Sequence, residues 1–152
     1  MRRALVFVLL AAALAVTAAG CGGGGDGRLG KSDYEEQVQA VDVELFNALR
    51  AVGTAGTAKG ALAALKQCQA AFTQAADELD AISPPEDVEA EHEALASGVR
   101  AFPGQLKPII ARVQGGNRFA IAAVQSMPAM TKIIKATAGM SHKGYAVFQS
   151  SS

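Results

Sequence analysis

The chain has 152 residues, 14 basic and 14 acidic side chains, two cysteines and no Trp. That is one domain's length, and a chain with so few cysteines cannot rest on a disulfide framework. Balanced charge and a low aromatic content argue against a nucleic-acid surface, which needs clustered positive excess and rings to stack on.

The N-terminus is read first. Arg2 and Arg3 precede an uninterrupted apolar run over residues 4–16, followed by Thr17, Ala18, Ala19 and Gly20. Thirteen apolar residues fall short of the roughly 20 that a membrane-spanning helix requires. Positive start, short apolar stretch and small residues together predict a signal peptide over residues 1–20. Its removal takes Arg2 and Arg3 and leaves a net charge of −2 on the remainder.

The string Ala18-Ala19-Gly20-Cys21 resembles the lipobox of bacterial lipoproteins, with Ala18 where that family prefers Leu. The resemblance implies that the Cys21 thiol receives a diacylglycerol, that cleavage occurs before it, and that Cys21 begins the mature chain. The protein is then expected at the cell membrane, lipid-anchored on the extracytoplasmic face, with membrane lipid as its partner through acylated Cys21. Each buried methylene of a palmitate-type chain contributes about 0.8 kcal/mol, and two chains suffice for stable anchoring. Gly22 to Gly25, Asp26 and Gly27 follow; glycine loses the most backbone entropy on ordering, so residues 21–31 read as a tether. As a flexible coil it spans roughly 15–20 Å.

Residues 32–140 are expected to form four amphipathic helices. The first opens at Ser32 with Glu35 three residues on, a capping-box pattern, and carries Tyr34, Val38, Val41, Leu45, Leu49 and Val52 at helical spacing up to Gly53. The second places Leu62, Leu65, Phe72, Leu79 and Ile82 on one face, with Cys68, Ala75 and Ala76 between, and stops at Ser83-Pro84-Pro85. The third begins with Pro85 as its first helical residue and Glu86 and Asp87 in its first turn. Its stripe of Val88, His92, Leu95, Val99, Phe102, Leu106, Ile109 and Val113 keeps its period through Pro103 and Pro108, which predicts a kinked helix or two nearly collinear ones. After Gly115-Gly116-Asn117 the fourth is expected from Arg118 to about Gly139, kinked at Pro128 and using Phe119, Ile121, Val124, Met127, Met130, Ile133, Ile134 and Met140. Residues 141–152 are a tail in which Tyr145, Val147 and Phe148 can pack back.

Four such helices with short connections predict an all-α, antiparallel up-down four-helix bundle. Twenty-five alanines after residue 20 imply close helix approach and a thin core. The segment from Leu79 through Ser83-Pro84-Pro85 to His92 and Leu95 resembles small alanine-rich helical lipoproteins of actinobacterial type, a resemblance of about 20 residues that implies a bundle and no activity.

Charge is divided along the chain. All 14 acidic residues lie at or before Glu93, giving residues 21–93 a net −9, whereas residues 94–152 carry a net +7 and no acid. Neighbouring helices and helix dipoles absorb part of this split. The remainder is a candidate surface for an anionic envelope component or protein, made of Arg100, Lys107, Arg112, Arg118, Lys132 and Lys135.

Chemistry is sparse. Glu89 and His92 form half of a ferritin-like Glu-x-x-His site, but the second half is missing, since Gly139 stands three residues before His142. Met127, Met130, Met140 and His142 are soft donors of the kind that suit Cu(I), although methionines at this spacing usually fill cores. Cys68, between Leu65 and Phe72, reads as a buried thiol. There is no nucleophile elbow, His-Glu-x-x-His, phosphate loop or Cys-x-x-Cys, so neither enzyme nor cofactor nor metal is expected. Two functions remain: a membrane-anchored interaction or envelope-structural module, or a carrier binding a lipid or other apolar molecule between the helices.

Overall fold

The computed structural model describes residues 27–148. The expected signal peptide, Cys21 and the glycines after it lie outside the described residues. Among those described, the chain is helical: α1 Lys31–Thr54, α2 Ala58–Ala81, α3 Glu89–Gln114 and α4 Pro128–His142, with a 3-10 turn at Glu86–Val88 and a 3-10 segment at Arg118–Ser126. No described helix is long and apolar enough to cross a membrane.

The expected stripes form the core. Tyr34, Val38, Val41, Leu45 and Val52 of α1 are buried against Leu65, Cys68, Phe72 and Leu79 of α2, Leu95, Val99, Phe102 and Leu106 of α3, and Ile133 and Met140 of α4. Phe72 and Phe102 stack at its centre, ring centroids 3.7 Å apart. Consecutive helices are neighbours: α1 packs on α2, α2 on α3, and α3 on α4. The tail packs back as expected, with Tyr145 and Val147 buried.

Three local expectations are corrected. Helix α1 begins one residue before Ser32, its cap is Gly30 with no side-chain bond, and Glu35 instead accepts from the Ala146 amide at 2.8 Å. The side chain that does cap a helix is Thr57, whose Oγ1 accepts from Gly60 N at 3.0 Å at the head of α2. Pro85 precedes the 3-10 turn rather than opening a helix, and α3 proper starts at Glu89. The expected fourth helix is two pieces: the chain is extended at Met127, and Pro128 starts α4, where its missing N–H costs nothing. Phe119, expected on the buried stripe, is 84% exposed, and Ile134 is exposed as well. Helix α3, by contrast, runs unbroken through Pro103 and Pro108, each of which removes one intrahelical bond; Gln69 Nε2 of α2 also donates to the Pro103 carbonyl at 3.0 Å, joining the two helices there.

Helices α3 and α4 meet closely at Gly98, where a Cβ would lie 2.9 Å from Ile133 Cγ1 and 3.3 Å from both Ala129 O and Ile133 N. Backbone atoms cannot step aside as a side-chain tip can. Gly98→Val is therefore expected to destabilise by about 1–3 kcal/mol. Gly104→Ala, on the same helix with nothing within 4 Å, should instead stabilise by about 0.5–1 kcal/mol. Urea unfolding of the two variants checks the contrast.

Candidate functional site

The α2–α3 join is the most polar part of the interior. His92 is buried, with Nε2 3.0 Å from Leu79 O and Nδ1 3.0 Å from the Tyr34 hydroxyl. A carbonyl can only accept, so Nε2 carries the proton and Tyr34 donates to Nδ1. Met140 Sδ lies 3.6 Å from the same hydroxyl, and the Tyr145 ring meets Tyr34 edge-on at 5.7 Å. One imidazole thus links α1, α2 and α3, with α4 and the tail in contact. Burial lowers the His92 pKa and raises that of Tyr34; the ring is held neutral.

The N-terminal arm is strapped to this join. Leu29 N donates to Ser83 O at 3.0 Å, and Arg28 donates to Pro84 O at 3.3 Å and to Glu89 at 3.0 Å. From the other side, Lys143 reaches Glu91 at 2.7 Å and Tyr145 the Asp87 carboxylate at 2.7 Å.

The basic residues singled out in the sequence do not form one patch. Arg100 is paired with Asp80, and Lys132 donates to Ser97 at 2.7 Å. Lys107, Arg112, Arg118 and Lys135 are exposed and make no bond to another described side chain. Arg112 and Arg118 flank the turn after α3, beside exposed Phe119.

Glu89 and His92 are both engaged elsewhere, Glu89 with Arg28 and His92 through both ring nitrogens, and among the described residues no three His, Cys, Asp or Glu gather in a metal-binding group. Met140 is fully buried while His142 is exposed, as expected two positions apart on a helix, so that pair cannot share one ion. Cys68 is buried, and burial pushes its thiol up to about 12, well outside the reactive range.

The sequence reading missed Asp42. It is 5% exposed on α1, although its place four residues after Val38 and three before Leu45 put it on the buried stripe. Its carboxylate accepts from Gln39 Nε2 at 3.3 Å and lines an apolar groove between α1 and α4. Desolvation raises its pKa. A raised carboxylate destabilises the fold as pH rises through the interval between its unfolded and folded values. Asp42→Asn should accordingly raise the melting temperature at pH 7, by about 3–5 °C for each kcal/mol recovered, and the gain should vanish near pH 4.

Compared with known proteins, the chain matches no family, no curated protein and no solved structure. The functional reading therefore rests on residues and geometry.

Proposed function

We propose that the protein is a non-catalytic, membrane-anchored extracytoplasmic lipoprotein: an antiparallel up-down four-helix bundle held on the bilayer through acylated Cys21, whose far end binds an anionic envelope partner. The bundle topology is supported by the pairing of consecutive helices and by the meeting of the α1 start, the α2–α3 join and the residues after α4 at one end.

One observation carries the proposal. Arg28 is tied to Glu89 at the first turn of α3, and Arg112 lies in the last turn of that same 26-residue helix. At 1.5 Å per residue the two ends are about 35–40 Å apart. A tether leaving from Gly27 therefore holds the strapped end near the membrane, and Arg112, Arg118 and Phe119 face away from it. Cations with no partner among the described residues, beside an exposed ring, suit an anionic polymer or acidic protein surface, and their attraction acts over about 10 Å at moderate salt.

The test uses the full chain in nanodiscs of uncharged lipid, titrated with inorganic polyphosphate at low ionic strength. Saturable, salt-sensitive binding that Arg112→Glu and Arg118→Glu abolish, and that Arg100→Gln leaves intact, is the expected result. Absence of binding at low salt, or equal losses in all three variants, contradicts the proposal.

A further inference from the structure

The seam between α1 and α4 is closed at one end and ajar along its middle. Tyr34, Met140 and Tyr145 close it beside the start of α1. Further along, the two helices do not pack as the consecutive pairs do, and a groove of about 210 Å³ opens, with Phe72 as a lining residue from α2, Leu45 and Phe46 from α1, and Ile133 and Ile134 from α4. Phe46 and Ile134, 45% and 57% exposed, leave apolar surface uncovered there. Asp42 is the sole ionisable residue in the lining, and its one hydrogen bond among the described residues comes from Gln39 on its own helix.

We propose that this groove is a binding site for a single-chain alkyl ammonium, its hydrocarbon lying along Phe72, Leu45 and Ile133 and its cationic head against the Asp42 carboxylate. The chemistry of the walls selects that class. A carboxylate accepts and does not donate, so the bound head must donate. The Thr137 hydroxyl, also in the lining, already donates to Ile134 O at 3.1 Å and offers no proton. An ammonium restores the countercharge that Asp42 lacks, whereas an anionic lipid head meets it with like charge. The volume lies below the roughly 300 Å³ at which drug-sized pockets begin, which fits one thin chain and not a two-chain lipid.

The inference depends neither on the anchor nor on the cationic tip. It is tested with the full chain both in nanodiscs and free of lipid, so that the result does not hinge on the anchor, reading helix melting at 222 nm against n-octylammonium, n-octanol and n-octanoate, with empty nanodiscs measuring partition into lipid. Octylammonium should raise the melting temperature saturably, octanol should bind at least tenfold more weakly, and octanoate should give no shift. Asp42→Asn, which keeps the shape, should weaken octylammonium at least tenfold and leave octanol unchanged. Ile134→Trp, which fills the groove from an exposed position, should abolish both. Affinity for octylammonium should fall with acidity as Asp42 takes up its proton, while the amine, with a pKa near about 10, stays charged throughout. No shift with octylammonium, an equal shift in Asp42→Asn, or stronger binding of octanoate each overturns the proposal.

Discussion

Phe102→Ala is expected to destabilise the protein by about 3–5 kcal/mol. Phe102 is fully buried and stacked on Phe72, itself 1% exposed, with ring planes 14° apart. The two rings join α2 to α3 at the middle of a core built mainly from Val, Ala, Leu and Ile. The alanines in this core cannot fill a vacancy, because short side chains have no reach. The loss is thus the transfer term plus most of a cavity term. A domain of this size has about 5–15 kcal/mol in total, so the variant forfeits a fifth of its stability or more. Phe102→Leu, which keeps most of the volume, should cost less than half as much. Urea denaturation at constant m-value checks both.

The second large effect is at His92. His92→Leu deletes two buried bonds and leaves the Tyr34 hydroxyl with Met140 Sδ as its one remaining neighbour. A buried polar group stripped of its partner costs about 1–3 kcal/mol, whereas Leu79 O keeps its bond from Ile82 N at 3.1 Å. Tyr34→Phe should cost less, since it removes the hydroxyl along with its need for a partner. The pH dependence follows from the lowered folded-state pKa of His92. Below the ordinary histidine value the unfolded chain binds a proton that the folded chain resists. Stability conferred by the neutral ring is therefore complete above about pH 6.5 and is lost as pH falls from there toward the folded value. Melting temperature should drop between pH 7 and pH 5 in the native protein, and His92→Leu should flatten that slope. An equal slope in the variant would remove His92 from the account.

Much of this was legible in the residues. The stripes on α1 to α3 were, because burial of one face is written at 3- and 4-residue spacing and is indifferent to what the partner helix is. The prolines of α3 did not break it, because the surrounding stripe kept its apolar period and stays buried on both sides of them. Pro128 did break the chain, because the segment before it, Arg118–Ser126, buries little beyond Ala120 and Val124 and so has no packed face to hold it in register with α4. Capping at Ser32 was misread for a different reason: the tail competes for Glu35, a contact 111 residues away that no local pattern announces. Charge was legible as a division of the chain but not as a surface, since Arg100 and Lys132 acquire partners only once α2, α3 and α4 are assembled. Asp42 is legible only in the stripe's spacing, where a carboxylate gives no apolar signal of burial. The groove beside it depends on how far apart two helices stand, and composition does not encode that.

The claim on which place, orientation and partner depend is the modified sulfur at residue 21, and intact-mass and peptide mass spectrometry of the protein recovered from membranes tests it directly. The account predicts a chain that begins at Cys21 and carries a diacylglycerol on Sγ. A chain that still begins at Met1, or a cleaved one whose Cys21 thiol is bare, contradicts it.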